Sequence, residues 1–169
     1  MFYIRSNIVN LAKSGQYKYV LHGCNCFCTM GAGVAKALSS QWPGILEADR
    51  ATPYGDKGKL GGFSVAHISG MNGDFYVYNL YTQYKYGTAN LKNFKIEYLK
   101  KALLAFDKDA KDLNGKVLMP PIGCGHGGGD WREVYSVIKE TIGHRDVSIV
   151  SLQGGYKDIE DNYIAYRRN

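Results

Sequence analysis

Two glycine-rich stretches carry the residues best suited to chemistry. The first, Asn25-Cys-Phe-Cys-Thr-Met30-Gly31-Ala32-Gly33-Val34, follows an apolar run and opens a helical pattern. Gly31 and Gly33 lack a Cβ, so a ligand can come close to the backbone, and the unpaired N–H groups at the start of the next helix favour negative charge. The second, Pro121-Ile122-Gly123-Cys124-Gly125-His126-Gly127-Gly128-Gly129-Asp130, lies about ninety residues on and repeats the plan of strand, glycine run and helix start. One such loop suits one phosphate. Two at the carboxyl ends of strands in one open sheet suit a diphosphate or a nucleotide-like ligand.

Three polar side chains stand out. The Asn25 amide offers both a donor and an acceptor to a sugar hydroxyl, or bonds its own backbone as a turn residue. His126, set among glycines with Asp130 close by, has the titration range of a general acid or base, although a loop histidine is more often an ordinary surface residue. Asp130 begins a capping-box-like segment ending at Glu133, and capping alone accounts for a carboxylate there. The tyrosines between 76 and 86, and Tyr156, either stack on a base or cover the edges of the core.

Several alternatives fail on spacing. A dinucleotide fingerprint needs a glycine where Lys36 stands, and a nucleoside-triphosphate loop needs Gly-Lys-Ser/Thr. A cysteine-phosphatase loop needs an arginine close after Cys124, but the first is Arg132. Cys24 and Cys28 have a spacing that metal sites use, but along a strand Cys24, Cys26 and Cys28 share one face, where small thiols pack as hydrophobes; no metal or cofactor is expected.

The elements that must position these residues follow from periodicity and turn chemistry. Strands are expected at Phe2–Ile4, Tyr17–Gly23, Phe63–Ile68, Phe75–Leu80, Val117–Pro120 and Val147–Leu152. Asn72-Gly73 marks a hairpin between the third and fourth. Helical segments are expected at Val9–Leu11, around Val34–Leu38 up to Trp42-Pro43, over Asn90–Leu113, and around Val134–Ile142. Arg50–Gly62 reads as an exposed connection carrying little chemistry, Tyr81–Gly87 as a loop, and the tail from Asp158 has no readable pattern. Alternating strands and helices give an α/β fold, a three-layer α/β/α sandwich around a central mixed sheet. A chain of 169 residues, 45% apolar, suits a single domain over 1–169. The net charge of +6 favours anionic partners, but the basic residues are dispersed along the chain. No stretch has the length and apolarity of a membrane span or signal peptide, so a cytoplasmic protein with reduced thiols is expected.

At Asn25, Met30–Val34 and Pro121–Gly125, with the long helix between them, the chain resembles a macrodomain, the ADP-ribose-binding α/β/α fold. The resemblance covers roughly residues 1 to 155. His22-Gly-Cys-Asn25, Ile122–Gly125 and Asp130-Trp131 look most like the branch with terminal ADP-ribose protein glycohydrolase, the DNA ADP-ribose hydrolases of toxin–antitoxin pairs and the yeast-type ADP-ribose 1''-phosphate phosphatases. The resemblance implies Asn7 and Ile8 beside the adenine, Asn25 on the distal ribose, the backbone of Gly31 to Val34 on one side of the diphosphate and that of Gly123 to Gly128 on the other. Met30, Thr82, Gln83 and Ile122 complete the implied binding set, and Asn25, His126 and Asp130 the implied catalytic set. The glycohydrolases of this branch use a lysine after a threonine, where this chain has Gln83 after Thr82. An amide cannot form the covalent adduct that an amine forms with an opened ribose. The resemblance therefore implies a phosphatase acting on ADP-ribose 1''-phosphate, with a non-catalytic ADP-ribose module or a lysine-independent ADP-ribosyl hydrolase as alternatives. It further implies a monomer whose partner is this small molecule, with nucleic acid entering only as an ADP-ribosylated substrate.

Overall fold

The computed structural model describes residues 1–87, 93–125, 127–154 and 156. Its strands are β1 (Phe2–Arg5), β2 (Tyr19–Cys24), β3 (Phe63–Ile68), β4 (Phe75–Tyr81), β5 (Val117–Met119) and β6 (Val147–Ser151). Its helices are α1 (Ile8–Lys13), α2 (Gly33–Gln41), α3 (Gly44–Arg50), α4 (Ile96–Asp109) and α5 (Trp131–Ile142), with a 3-10 turn at Lys57–Lys59. The strands form one sheet in the order β1-β6-β5-β2-β4-β3. All neighbours pair in parallel except β3, which pairs antiparallel with β4 through the expected hairpin.

The central strands feed a buried cluster on either face. Tyr19 and Leu21 of β2 pack with Leu99, Leu103 and Phe106 of α4 and with Val134 and Ile138 of α5. Val20 and Cys24 of the same strand pack with Ile8, Leu38 and Ile45 of α1, α2 and α3. Residues one apart on a strand face opposite ways, so a mostly parallel sheet buried on both sides needs apolar residues at nearly every position. The layers are α1, α2 and α3, then the sheet, then α4 and α5: the mixed-sheet α/β/α sandwich expected.

Three local expectations change. The helix placed at Asn90–Leu113 runs only over Ile96–Asp109, and residues 90–92 fall outside the described set. Its end is set by Arg145, whose guanidinium donates to the carbonyls of Asp107, Ala110 and Asp112 and to the Asp107 carboxylate. A cation on a helix C-terminus satisfies carbonyls that have no partner within the helix. Helix α3, which the periodicity does not reveal, begins directly after Pro43, where proline is compatible with a helix start. The stretch from Arg50 to Gly62, expected to be exposed and inert, contains the buried Lys59, which bonds Thr52 Oγ1 at 2.8 Å and lies 4.8 Å from the Tyr81 ring centroid.

His22 lies fully buried on β2. Its Nε2 meets Asn79 Oδ1 at 2.6 Å, and the Asn79 amide donates onward to Ile45 O and Ser64 Oγ. Burial depresses the imidazole pKa from 6.5 to about 4, opposed in part by the bond to Asn79. The unfolded chain therefore takes up a proton below pH 6.5 that the folded protein refuses until about pH 4. Stability due to His22 is present above this window and declines through it as pH falls, by ~3 kcal/mol in all. In urea unfolding at pH 7, 5.5 and 4.5, His22→Gln is expected to be less stable than wild type at pH 7 and to show a shallower decline. Parallel declines in the two proteins would show that another group carries the acid sensitivity.

Candidate functional site

Because β1, β2, β4, β5 and β6 run the same way, the segments leaving their carboxyl ends meet at one edge of the sheet, the usual place for ligands in such folds. A cleft of about 1050 Å³ lies there. It is lined from β1 by Asn7 and Ile8, from β2 by Asn25 and Met30 to Val34, from β4 by Thr82 and Gln83, and from β5 by Ile122, Gly123, Gly125 and Gly127. The two glycine stretches expected to act together do face one crevice, because β2 and β5 are adjacent, with Tyr19 opposite Val117 and Val20 opposite Leu118.

The glycines divide into two kinds. A Cβ added at Gly31, Gly33 or Gly125 would meet nothing within 4 Å, so these positions are bare backbone facing open space. Gly123, Gly127 and Gly129 instead pack around one ring: added Cβ atoms would lie 2.4, 2.9 and 2.9 Å from Phe94. Gly123 also has φ +80°, which a side chain disfavours. Much of the second glycine run is therefore demanded by packing against Phe94, and only part of it presents backbone to a ligand.

The helix starts also differ. At α1 the Asn7 carboxamide oxygen accepts from Val9 N at 2.8 Å, and at α5 the Asp130 carboxylate accepts from Arg132 N at 2.8 Å. At α2 the cap position is Ala32, with no side-chain hydrogen bond to the first turn. The N–H groups of the first helical turn have no acceptor within their own helix. At α2 they open beside Gly31 and Gly33 with the positive end of the helix dipole behind them. Of these three helix starts, that of α2 alone lacks a side-chain cap.

Asn25, buried beside the cleft, holds its own loop together. Its Oδ1 accepts from Phe27 N at 2.8 Å, while Nδ2 donates to Thr29 Oγ1 at 2.9 Å and Thr29 O at 3.2 Å. Both amide hydrogens are used, which leaves one lone pair on Oδ1 for a hydroxyl donor. Gln83 donates from Nε2 to Lys85 O at 2.9 Å. Cys124, Gly128 and Asp130 are not among the lining residues. Burial, with Asp130 nearby, pushes the Cys124 thiol up to about 12, so it stays protonated and is unsuited to nucleophilic attack. His126 lies outside the described residues. Among the described lining residues there is no carboxylate, imidazole, amine or guanidinium.

The cysteines differ from the expected single face. Strand β2 ends at Cys24, so the alternation does not extend to Cys28, which sits at φ +51°. Cys24 and Cys26 are buried apolar contacts, and burial raises the pKa of both thiols. Cys28 Sγ instead lies 3.5 Å from Lys59 Nζ and 3.3 Å from Asp49 O. Sequence reasoning missed Ser6, Thr29, Asn93 and Ser151 to Gln153, which also line the cleft. Several of these directly follow a parallel strand, and that position was the available signal.

Residues 21–138 match the Macro domain family model, which is more than half of the chain, and the chain belongs to this family. A protein of Enterobacteria phage T4, called an uncharacterized 17.5 kDa protein in the tk-vs intergenic region, is 37% identical over 154 residues, covering 89% of this chain and 96% of that one. A DNA ADP-ribosyl glycohydrolase of Mycobacterium tuberculosis (strain ATCC 25618 / H37Rv) is 27% identical over 141 residues, or 80% of this chain, which spans only 39% of that relative's length. The structure of Thermosipho africanus DarTG in complex with ADP-ribose shares the fold at a TM-score of 0.64 and 16% identity, over 82% of this chain and 39% of that one.

The packing of the second loop is open to test. Gly123→Ala must either leave its positive φ or displace Phe94, at a cost of about 3 kcal/mol. Thermal unfolding should show a large drop for Gly123→Ala and almost none for Gly125→Ala. Equal stabilities would mean that the loop does not pack on Phe94 as described.

Proposed function

We propose that the cleft binds ADP-ribose, with its diphosphate between the backbone of Gly31 to Val34 and that of Gly123 to Gly127, and that the protein hydrolyses the phosphomonoester of ADP-ribose 1''-phosphate. The single observation that carries this reading is the convergence of two glycine loops on one crevice, with the uncapped start of α2 opening into it. The T. africanus protein solved with ADP-ribose, which shares the fold, supports the choice of ligand. Asn7 and Ile8 take the adenine side, and Asn25, Thr82 and Gln83 the distal ribose.

In the reaction, water adds to the terminal phosphorus, the bond from phosphorus to the 1''-oxygen breaks, and that oxygen takes a proton. Hydrolysis of a phosphomonoester needs charge neutralisation and positioning more than a covalent intermediate. Unpaired loop amides neutralise the phosphate oxygens. His126 or Asp130 orients the water or protonates the leaving oxygen, Asp130 needing the loop before α5 to bring it to the cleft it does not line, and the free lone pair of Asn25 Oδ1 fixes the ribose. Gln83 stands where the related glycohydrolases have an amine, which favours this water-based route.

Two other readings have specific support. The scarcity of ionisable groups among the described lining residues favours a module that binds ADP-ribose without turnover. The mycobacterial relative favours release of ADP-ribose from DNA. Incubation with ADP-ribose 1''-phosphate and with ADP-ribosylated DNA, followed by assays for phosphate and for free ADP-ribose, separates all three.

A side chain at Gly31 points into open space, so Gly31→Leu should leave the melting temperature unchanged and weaken ADP-ribose binding at least about tenfold by calorimetry. Unaltered affinity would remove the first loop from the site. His126→Ala combined with Asp130→Asn, which retains a capping side chain, should abolish phosphate release while ADP-ribose still binds. Undiminished turnover in that variant would refute both roles.

A further inference from the structure

Beside the first glycine loop lies a polar group that the cleft does not use. Cys28, Asp49, Thr52, Lys59 and Tyr81 form it, and none of them is a lining residue. Cys28 stands three positions before Gly31, half-buried and at φ +51°. Its thiol donates to Asp49 O at 3.3 Å, and its sulfur accepts from Lys59 Nζ at 3.5 Å. Lys59 is only 9% exposed, and its ammonium also donates to Thr52 Oγ1 at 2.8 Å. The described hydrogen bonds of Cys24, Cys26 and Cys124 include no lysine or arginine.

A buried ammonium is ordinarily paired with a carboxylate, because taking the charge out of water is costly. Lys59 instead bonds a hydroxyl and a sulfur, while Asp49 Oδ2, in the same group, is buried without a partner among the described residues. What this arrangement does provide is a nitrogen nucleophile in contact with an oxidisable sulfur. A cysteine oxidised to its sulfenic acid is electrophilic at sulfur and condenses with a nucleophile held against it.

We propose that Cys28 and Lys59 form a covalent bridge when the protein meets a peroxide: the thiol becomes a sulfenic acid, and the Lys59 nitrogen captures the sulfur as a sulfenamide. The site is independent of what the cleft binds. In the first step the peroxide O–O bond breaks, the sulfur gains one oxygen and gives up two electrons to the peroxide, and water is released. In the second the S–O bond breaks and an S–N bond forms. The departing oxygen takes one proton from nitrogen and leaves as water. The other proton has a path to Asp49: Lys59 bonds Thr52 Oγ1, which lies 3.3 Å from Tyr81 Oη, and Tyr81 donates to Asp49 Oδ1 at 2.7 Å. The turn carrying Lys59 is tied to β4, with Gly61 N on Tyr81 O at 2.9 Å and Tyr81 N on Gly62 O at 3.0 Å. The bridge therefore fastens the loop that follows β2 to the neighbouring strand.

The test treats the reduced full chain with a small excess of hydrogen peroxide, digests it without reductant and maps the peptides by mass spectrometry. The expected product joins the Cys28 peptide to the Lys59 peptide, two hydrogens lighter than their sum, and dithiothreitol separates them again. Oxidised Cys28 with no joined pair, or a disulfide between Cys26 and Cys28 in its place, would overturn the proposal. A joined pair heavier by one oxygen would overturn the direct sulfur–nitrogen bond. Lys59→Arg keeps a cation at the position but removes the amine. It should abolish the pair and raise dimedone labelling of Cys28 at least about fivefold, and unchanged labelling would count against capture by Lys59. Cys28→Ser, which keeps a donor for Asp49 O, should also abolish the pair, and a pair that persists would move the site to another cysteine. Should either variant fold poorly, the wild-type map decides by itself.

Discussion

The site depends on the parallel pairing of β2 with β5. A parallel neighbour brings its carboxyl end to the same edge of the sheet, so whatever follows Cys24 must lie beside whatever follows Met119. Had either strand been reversed, the two glycine segments would open at opposite ends of the sheet and no single ligand could touch both. The continuous apolar character of these strands and the two faces of helices exist to bury that ladder.

Around this constraint the two loops are stabilised by different means. The first is held from within by Asn25, which bonds Phe27 and Thr29, and from behind by a buried polar group. In that group Tyr81 donates to Asp49, Lys59 reaches Thr52, and the Cys28 thiol sits against both helix α3 and Lys59. Asp49 Oδ2 is buried without a hydrogen-bond partner among the described residues, and burial raises the Asp49 pKa. The second loop, among its described residues, is tied by backbone bonds such as Gly129 N to Gly123 O at 2.8 Å. It closes around Phe94, with Gly123, Gly127 and Gly129 supplying the clearance. One loop is kept open by hydrogen bonds, the other kept compact by the absence of side chains.

Electrostatically, the described lining carries no fixed positive charge. What it offers an anion is backbone N–H groups and the positive end of the α2 dipole, a common means of holding phosphates without lysine or arginine.

How far the sequence reaches is clearest element by element. Local periodicity determined the six strands to within a few residues, the hairpin at Asn72-Gly73 and the Leu99, Leu103 and Phe106 face of α4, because each depends on neighbours a few positions away. The two glycine runs were legible as a pair, and with Asn25 they carried the family. Tertiary contacts decided the rest. Helix α4 stops where Arg145 meets its carbonyls, about 35 residues on in the chain. Lys59 is buried because Thr52, Tyr81 and Cys28 receive it, although its surroundings in sequence read as solvent-exposed. Whether a glycine faces ligand or ring is invisible in composition, since the same missing Cβ serves both. Only the position of Phe94 in space separates Gly123 from Gly125, because packing is a matter of which distant atoms arrive at one place.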